Sequence, residues 1–553
     1  MRASETTLKA LLDGQKQYIV PLFQRRYSWD KKHWTVLWQD LCELYNSTTA
    51  SDHFLGSIVT VAGTGPPESV TPYTLIDGQQ RLTTLCILLA ALRDTARESC
   101  VELSERLHGL YLTNHYVRGM DRLKVLPTQA DREAFLRLID STDTTPDSRI
   151  TQAYRFFLKS ITAGIDNGTP IDLERFESSI LNQVSLVSIS LGQEDNPYRI
   201  FESLNYKGLR LSQSDLLRNY FFMRLPVSTH EDLYQHVWRP MEDSLGKAMD
   251  EFIRDFLVRD GEFVRDSDVY QVWKLSLDDL PAEQVQEKMG VLGKFSEFYS
   301  LLLTPNRESD GEVAKALTRL NRWGGTTVYP FLLNLYEAIS QQKLSKSGLS
   351  RILNMIESFL VRRAFANVPT NALNRIFIRL YAQLPPGDDL VDATRAALSS
   401  PGLRWPTDND FMRHIPFYPL YRDSRPEQRK LILQALEESF EHKEPVVLSP
   451  LTVEHIMPQA LTDDWRRLLG AGADDVHSLY LHTLGNLTLS GYNSPLSNHA
   501  FERKSQILEG SHLELNREIS EQNVWGEAQI VDRANRLAQR ALSIWPGPKA
   551  LSL

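Results

Sequence analysis

Hydrophobic and polar residues alternate with two different periods along this chain. In the first hundred residues, short β-prone runs at 18–20, 54–61 and 73–76 precede an apolar helical run at 82–92. Strands mixed with helices predict an α/β domain. From about residue 226 to 440, hydrophobic positions recur three and four residues apart, a spacing that lines one face of a helix and predicts an α-helical middle region. One such segment comprises Ile352, Leu353, Met355, Ile356, Phe359 and Leu360.

The last hundred residues return to strand-like patterns. A β-prone run from Leu451 ends at Pro458, because proline cannot continue a central strand. Alternation over 484–489 predicts a second strand, with Asn486 on the same face as its neighbours two positions away. After a loop, a helix is predicted to begin near residue 497 or 498 and to continue through Ile507. The predicted order is strand, strand, helix.

The 553 residues correspond to two to four domains at roughly 150 residues each. Breaks rich in proline, glycine or serine occur at 384–387 and 399–402, and a charged stretch at 437–444 precedes Pro445. We therefore predict an α+β multidomain protein. Its three domains are an α/β domain at 1–225, an α-helical connecting region at 226–444 and a smaller domain at 445–553.

Composition narrows the class of protein. The net charge is −9, from 61 Lys plus Arg against 70 Asp plus Glu, which has the wrong sign for coating nucleic acid by bulk attraction. The three cysteines form no C-x-x-C pair, so neither a disulfide framework nor a cysteine zinc site fits. The longest apolar run, 82–92, is too short to span a bilayer. We expect a cytoplasmic protein with no membrane partner.

The C-terminal residues can supply phosphodiester hydrolysis, which needs a base, a Lewis acid and a group that fixes the base in one tautomer. His455 is the candidate base, and Asn486 can hydrogen-bond its imidazole. Glu454 and Asn493 offer hard oxygen ligands for Mg or Mn. Neighbouring strand residues point to opposite faces, so Glu454 and His455 can serve one metal only if the strand bends or ends there, which Pro458 permits.

A second candidate site lies near the N-terminus. The sequence at 73–85 predicts a strand, a tight Asp77-Gly78 turn and a helix, whose first N–H groups together with Arg81 form an anion site. No P-loop motif occurs. Just upstream, basic and aromatic residues are interleaved, a pattern suited to gripping phosphates and stacking on bases. The predicted DNA contacts are Arg26, Tyr27, Trp29, Lys31 and Lys32.

Local charge supports this placement of DNA contacts. The first forty residues hold seven basic against four acidic side chains, whereas residues 451–553 hold nine against twelve. Trp34 and Trp38 lie four positions apart, and we assign them to helix packing. The four other histidines after residue 450 have no spacing that requires a metal, and we assign them structural or surface roles. They are His477, His482, His499 and His512.

The C-terminal segments VEHIMPQ, LGNLTLSGYNSPLSN and FERK resemble the nuclease domain of GmrSD-type modification-dependent restriction enzymes, within the ββα-metal HNH nucleases. The resemblance implies that Glu454 and Asn493 bind the metal, that His455 is the general base and that Asn486 is its orienting partner. Asn493 stands where the HNH pattern commonly has its last histidine. This replacement favours magnesium or manganese over a transition metal.

The N-terminal segments VPLFQRRYSW, IDGQQRLTTL and RIFESLNYKGLRLSQSDLLRN resemble the GmrS-type domain, whose fold is similar to ParB and sulfiredoxin. In that family the first two motifs build a nucleotide pocket in which hydrolysis of GTP or another NTP is coupled to restriction. The residues implied for this pocket are Gln24, Arg25, Asp77, Gly78, Gln79, Gln80 and Arg81. We assign the third motif, at 199–219, to structural support, because Ser212 and Asp215 have capping-box spacing.

These observations predict an NTP-responsive, modification-dependent DNA endonuclease or nickase in anti-phage defence, also similar to SspE-type anti-phage proteins. Expected partners are modified or phage DNA and a nucleotide, and association into a homo-oligomer stays open. The alternative is a ParB-like nucleotide-binding DNA regulator without nuclease activity. A small-molecule phosphotransferase would leave the C-terminal residues unexplained. The DNA mark and the choice between GTP and ATP stay open.

Overall fold

A computed structural model describes residues 2–22, 24–47, 52–63, 69–142, 147–165, 168–192, 212–387, 389–440, 442, 446–491 and 496–548. The chain forms two compact units. The first comprises Met1–Pro240 and Tyr270–Gly290, and the second comprises Met241–Val269 and Val291–Leu553. The predicted boundary near residue 445 lies inside the second unit.

The first unit contains a six-stranded mixed sheet. Its strands are β1 (Arg2–Thr7), β2 (Lys16–Ile19), β3 (His53–Ala62), β4 (Thr71–Asp77), β5 (Val125–Leu126) and β6 (Val184–Leu191), in the spatial order β1-β6-β3-β4-β2-β5. Antiparallel pairs join β1 to β6 and β3 to β4, whereas β3–β6, β2–β4 and β2–β5 are parallel. The three predicted strands correspond to β2, β3 and β4. The mixed α/β prediction is confirmed for this unit.

The predicted apolar helix is the central helix of the first unit. It extends over Gln79–Ala96, and every residue from Leu82 to Arg93 is buried. It packs against the helix Arg149–Ala163. This helix shows no amphipathic stripe because it is apolar on all sides. Such a helix must be covered by other elements on all sides.

The chain is otherwise largely helical. The α-helices are Leu8–Leu12, Lys31–Asn46, Gln79–Ala96, Val101–Arg106, Gln129–Ile139, Arg149–Ala163, Leu173–Gln183, Gln213–Arg224, Val227–Leu233, Arg239–Leu245, Met249–Val258, Val269–Leu277, Ala282–Leu303, Gly311–Trp323, Tyr329–Ser340, Lys346–Phe365, Leu373–Leu380, Leu390–Leu398, Asp408–His414, Leu420–Asp423, Pro426–Glu438, Asp463–Leu469, Ala473–Tyr480, Phe501–Glu509, Glu514–Ser520 and Glu527–Ile544. None of these described helices is both long and apolar enough to cross a membrane.

The second unit contains a small strand, strand, helix arrangement in its last hundred residues. Strands β7 (Thr452–His455) and β8 (Leu487–Ser490) pair antiparallel, and the next described helix is Phe501–Glu509. The predicted order is therefore observed. The helix begins three or four residues later than predicted, with Ala500 at its N-cap.

Residues 484–486 were predicted as part of the second strand, and here the prediction is wrong. They form a 3-10 turn, in which the carbonyl of Asn486 accepts from the N–H of Ile456 at 3.0 Å and the other two carbonyls face a buried arginine. The guanidinium of Arg533 donates to the carbonyls of Leu484 and Gly485, at 3.3 and 2.9 Å. A Cβ atom at Gly485 would lie 2.1 Å from the carbonyl oxygen of Ile530, so only glycine permits this close packing on the last helix.

Candidate functional site

His455 is the last residue of β7, and its ring is 4% exposed. Its Nε2 atom lies 3.2 Å from Nδ1 of His482. The ring of Tyr421 meets it edge-on, with the ring centroids 4.3 Å apart. Burial lowers the pKa of His455 to about 3, and the neighbouring His482, Lys504 and Arg429 add to this effect. The imidazole is therefore neutral at physiological pH.

His482 is the site residue that sequence reasoning missed. It follows the helix Ala473–Tyr480, and its half-buried ring stacks on Tyr421 with an interplanar angle of 13°. The backbone N–H of Tyr421 donates to the carbonyl of His482 at 3.0 Å. His482 and His455 are 27 residues apart. No local period connects residues at that distance, so the sequence held no signal for this pair.

Glu454 faces a different environment from its neighbour. Its carboxylate lies 3.5 Å from the ammonium group of Lys504, which is fully buried and also donates to the carbonyl of His455 at 2.8 Å. Burial raises the pKa of Glu454, and the attraction of Lys504 opposes that shift. Burial likewise lowers the pKa of Lys504 to about 8, against the attraction of Glu454.

The strand was expected to bend or end at Glu454 and His455, and β7 ends at His455 without a bend before it. The ladder with β8 continues in register from Glu454, opposite Thr488, to His455, opposite Leu487. Consecutive residues of a regular strand point to opposite faces. The carboxylate accordingly contacts Lys504, while the imidazole contacts Tyr421 and His482.

Asn486 contacts the backbone around His455 rather than its ring. Its Oδ1 accepts from the N–H of Met457 at 2.7 Å and from the indole of Trp525 at 3.1 Å. Its Nδ2 donates to the carbonyls of Met457 and Leu481, at 3.0 and 2.9 Å. These bonds fill the two acceptor and two donor positions of the amide. The predicted bond to the imidazole is thus replaced by a clamp on the segments that carry His455 and His482.

The predicted metal ligands are described only in part. Glu454 supplies a carboxylate, a donor type that suits Mg or Mn. Asn493 lies outside the described residues. Within the described part of the chain, no group of three or more His, Cys, Asp or Glu side chains is arranged to hold a metal ion.

In the first unit, glutamine amides bring the two N-terminal motifs together. The buried side chain of Gln24 donates to the carbonyls of Leu75 and Ile76, at 2.6 and 3.0 Å. Gln79 donates to the carbonyl of Arg25 at 3.3 Å. Gln80 donates to the carbonyl of Arg26 at 3.3 Å and accepts from the N–H of Ser28 at 2.8 Å. Motifs more than fifty residues apart thus form one structure.

The helix Gln79–Ala96 begins at Gly78, which has a φ of 92°. A Cβ at Gly78 would lie 2.4 Å from Cδ1 of Ile58, so a larger residue cannot be accommodated without movement. Arg81, in the first turn, donates to the carboxylate of Asp77 at 3.1 Å and to the carbonyl of Ser57 at 2.7 Å. Asp77 and Arg81 are half-buried, and their charged groups lie at the helix start.

The third motif contributes charges as well as structural support. Ser212 caps the helix Gln213–Arg224 by accepting from the N–H of Asp215, as predicted. Asp215 pairs with Arg218 at 2.7 Å. Burial lowers the pKa of Arg25, while Asp215 and Asp77 raise it and Arg218 lowers it further. Four charged side chains therefore act on one another here, and residues 199–211 of the motif lie outside the described residues.

The predicted DNA contacts differ in exposure. Tyr27 is 5% exposed, its hydroxyl accepts from the indole of Trp34 at 2.9 Å, and it lies 2.7 Å from the Thr84 hydroxyl. It cannot stack on a base, so this prediction is corrected. Trp29 is half-buried and stacks on His33. Arg26, Lys31 and Lys32 are exposed, and their DNA contact stays a prediction. Trp34 and Trp38 pack in the core, as expected.

Two family models match the chain. The model of the GmrSD restriction endonuclease N-terminal domain matches residues 8–222, and the model of the GmrSD restriction endonuclease C-terminal domain matches residues 405–540. Together they cover more than half of the chain. The chain belongs to the GmrSD restriction endonuclease family. No curated protein matches it.

The GmrSD matches enclose both candidate sites. The N-terminal match contains the glutamine-linked motifs and the pair Asp215–Arg218, and the C-terminal match contains His455, His482 and Asn486. Membership in this family makes the protein a DNA endonuclease of a restriction or defence system.

Proposed function

We propose that this GmrSD-family endonuclease hydrolyses DNA phosphodiesters at His455 with Mg or Mn, and that GTP or another NTP bound near Asp77 and Arg81 controls cutting. Support comes chiefly from one observation, the buried His455 at the end of β7, whose flanking backbone is held by hydrogen bonds from Asn486. In this proposal the C-terminal segment is a ββα-metal HNH domain, and the first unit is a ParB/sulfiredoxin-like domain.

His455 takes the role of general base. A base must be unprotonated to accept a proton from water, and burial, which lowers the pKa of His455, keeps the imidazole in that form. The amide of Asn486 fixes the peptide group of Met457, two residues after His455. This clamp restrains the direction of the ring.

Glu454 and Asn493 are the proposed metal ligands. A bound Mg or Mn ion would polarise the phosphate oxygens and neutralise charge that develops on them. The ammonium group of Lys504 favours the ionised form of Glu454, which is the form that binds a cation. Lys504 also donates to the carbonyl of His455, so it contacts both of the last two residues of β7.

The nucleotide site uses the helix start in the first unit. Backbone N–H groups after Gly78, with Arg25 and Arg81, favour phosphate groups, and Asp77 can hold a metal or orient water. Gln24, Gln79 and Gln80 then act by holding the two motifs together, because their amides bond to backbone atoms. Asp215 and Arg218 join the proposed site through their interaction with Arg25.

Exposed basic residues near the site are proposed to contact DNA. Arg26, Lys31 and Lys32 lie in the stretch that ends the first motif and begins the helix Lys31–Asn46. Their charges suit phosphate contacts rather than base recognition. The substrate is proposed to be modified or phage DNA.

A cleavage assay tests the proposal. Plasmid and phage DNA of differing modification are incubated with the full chain, with and without each NTP and with Mg or Mn. We expect His455→Ala to abolish cutting and to leave NTP hydrolysis unchanged. Asp77→Asn is expected to abolish NTP hydrolysis. It should also remove the effect of nucleotide on DNA cutting.

Three results would contradict the proposal. Full cutting by His455→Ala would remove the assigned base. Cutting that is identical with and without every NTP would remove the nucleotide control. An absence of cutting by the wild-type protein on every DNA would favour the alternative, a nucleotide-binding DNA regulator.

A further inference from the structure

The imidazoles of His455 and His482 are close enough to form a hydrogen bond. Nε2 of His455 and Nδ1 of His482 lie 3.2 Å apart, which is hydrogen-bond distance. In two neutral imidazoles, one of these nitrogens must carry the proton and the other must accept it. The contact therefore ties the tautomer of one ring to the tautomer of the other.

His482 is held in position from several sides. Its ring stacks on Tyr421, and its carbonyl accepts from the N–H of Tyr421. The guanidinium of Arg429 lies 3.8 Å above the ring of Tyr421, so this aromatic ring is itself fixed. Asn486 binds the carbonyl of Leu481, the residue before His482. A ring restrained in this way can set the direction of its neighbour.

The two rings also differ in access to water. His455 is buried, whereas His482 is half-buried and lies near the charged side chains of Arg422 and Asp423. When Nδ1 of a neutral His482 accepts, its proton sits on Nε2. On this half-buried ring, an N–H is more easily solvated than an N–H on the buried ring of His455. This difference favours the arrangement in which His455 donates and His482 accepts.

We propose that His482 is a positioning residue whose Nδ1 accepts the Nε2–H of His455 and so leaves a lone pair on Nδ1 of His455. This inference rests on the proposed function of His455 as the general base. The reverse arrangement places the proton of His455 on Nδ1, where it would block proton transfer from water.

The proton balance of the step follows from this arrangement. Nδ1 of His455 takes one proton from water as the water oxygen bonds to phosphorus and the bond from phosphorus to the leaving oxygen breaks. The leaving oxygen takes a proton from solvent, and His455 later returns its proton to water. While His455 is positively charged, its Nε2–H bond to His482 becomes a charge-assisted hydrogen bond and is stronger.

Substitutions at residue 482 separate this role from simple packing. In His482→Asn, the side-chain amide occupies the place of Nδ1 and its oxygen can accept from His455. In His482→Leu, the side chain fills the space beside Tyr421 without an acceptor. If the leucine variant does not fold, His482→Phe replaces it, because its ring can stack on Tyr421 and carries no acceptor nitrogen.

We expect His482→Leu to lower kcat for DNA cleavage by roughly 10- to 100-fold while KM for DNA changes by less than about twofold. His482→Asn should recover most of the rate. His499→Leu, at an exposed histidine of the same domain, is the matched control and should cut at the wild-type rate. Unfolding temperatures of all variants are measured in parallel.

Two outcomes would overturn the inference. One is wild-type cutting by His482→Leu, and the other is an asparagine variant that folds normally and is as slow as the leucine variant. His455→Ala in the same assay keeps the two proposals apart. Cutting by His455→Ala refutes the general base itself, whereas an inactive His455→Ala beside a fully active His482→Leu refutes only the role of His482.

Discussion

The side chain of Asn486 joins two segments that are far apart in the sequence. Its amide makes four hydrogen bonds in a fully buried environment, two of them to Met457, which lies 29 residues away. An unsatisfied buried polar group costs on the order of 1–3 kcal/mol, so this clamp is strongly held. At the residue scale, precise placement of His455 depends on a neighbour whose four side-chain hydrogen bonds all go to groups other than its ring.

Gly78 offers a test at the same scale. We expect Gly78→Ala to destabilise the protein by about 1–3 kcal/mol, because φ is 92° and a Cβ would lie 2.4 Å from Cδ1 of Ile58. Gly14 is the matched control, since it has a φ of 78° with no atom within 4 Å of the added Cβ. Chemical unfolding measures both variants. Equal losses of stability in the two variants would show that the close approach of the added Cβ to Ile58 contributes nothing.

At the scale of elements, a buried acid in the second unit joins two helices through residues of that unit. The hydroxyl of Tyr299, on the helix Ala282–Leu303, donates to Asp255, on the helix Met249–Val258, at 3.0 Å. Burial raises the pKa of Asp255 to about 7, although Tyr299 and Arg254 oppose the shift. Ionisation of this carboxyl therefore costs more in the folded state than in the unfolded state.

This shift predicts a pH-dependent stability. The folded state binds the proton of Asp255 more tightly, so the contribution is fully present below the unfolded pKa of about 4 and is lost as pH rises to about 7. The full shift corresponds to at most about 4 kcal/mol. We expect the unfolding temperature of the wild type to fall relative to Asp255→Asn between pH 5 and pH 8.

Asp260→Asn is the control for this measurement, because Asp260 is 72% exposed. Its unfolding temperature should follow the wild type at every pH. A constant difference between the wild type and Asp255→Asn across this range would contradict the assigned pKa.

At the scale of the whole molecule, residues near the C-terminus complete the core of the second unit. The indole of Trp545 donates to the carboxylate of Glu357 at 2.8 Å, across 188 residues of sequence. Arg362, fully buried, donates to the carbonyl of Trp545 at 2.6 Å. The helix Lys346–Phe365 is therefore packed and hydrogen-bonded by a segment that lies beyond the last helix.

We expect Trp545→Ala to destabilise the protein by about 3–5 kcal/mol, because it removes a ring that is 1% exposed and leaves Glu357 with one donor fewer. Trp545→Phe keeps most of the apolar contact and loses only the hydrogen bond, so its loss should be clearly smaller. Urea unfolding measures the free energy of unfolding of both variants. Similar midpoints for Trp545→Ala and the wild type would show that this segment adds little to the fold.

Local pattern accounts for much of what was predicted correctly. The runs that became β2, β3 and β4, the helix Gln79–Ala96 and the order of β7, β8 and the following helix all follow from spacing between near neighbours. Period-two and period-3.6 patterns are properties of a few consecutive residues, so the sequence reveals them. The same is true of the motifs that resemble the GmrSD family.

Contacts between distant residues account for the rest. The sequence by itself determined β2, β3, β4, the central helix of the first unit, the family and the identity of His455 as a candidate base. Only the tertiary structure placed His482 beside it, turned Asn486 toward the backbone and buried Tyr27, because each depends on chain segments brought together by packing. Sequence spacing encodes the face of one element, whereas the partner of that face is decided by how the elements assemble.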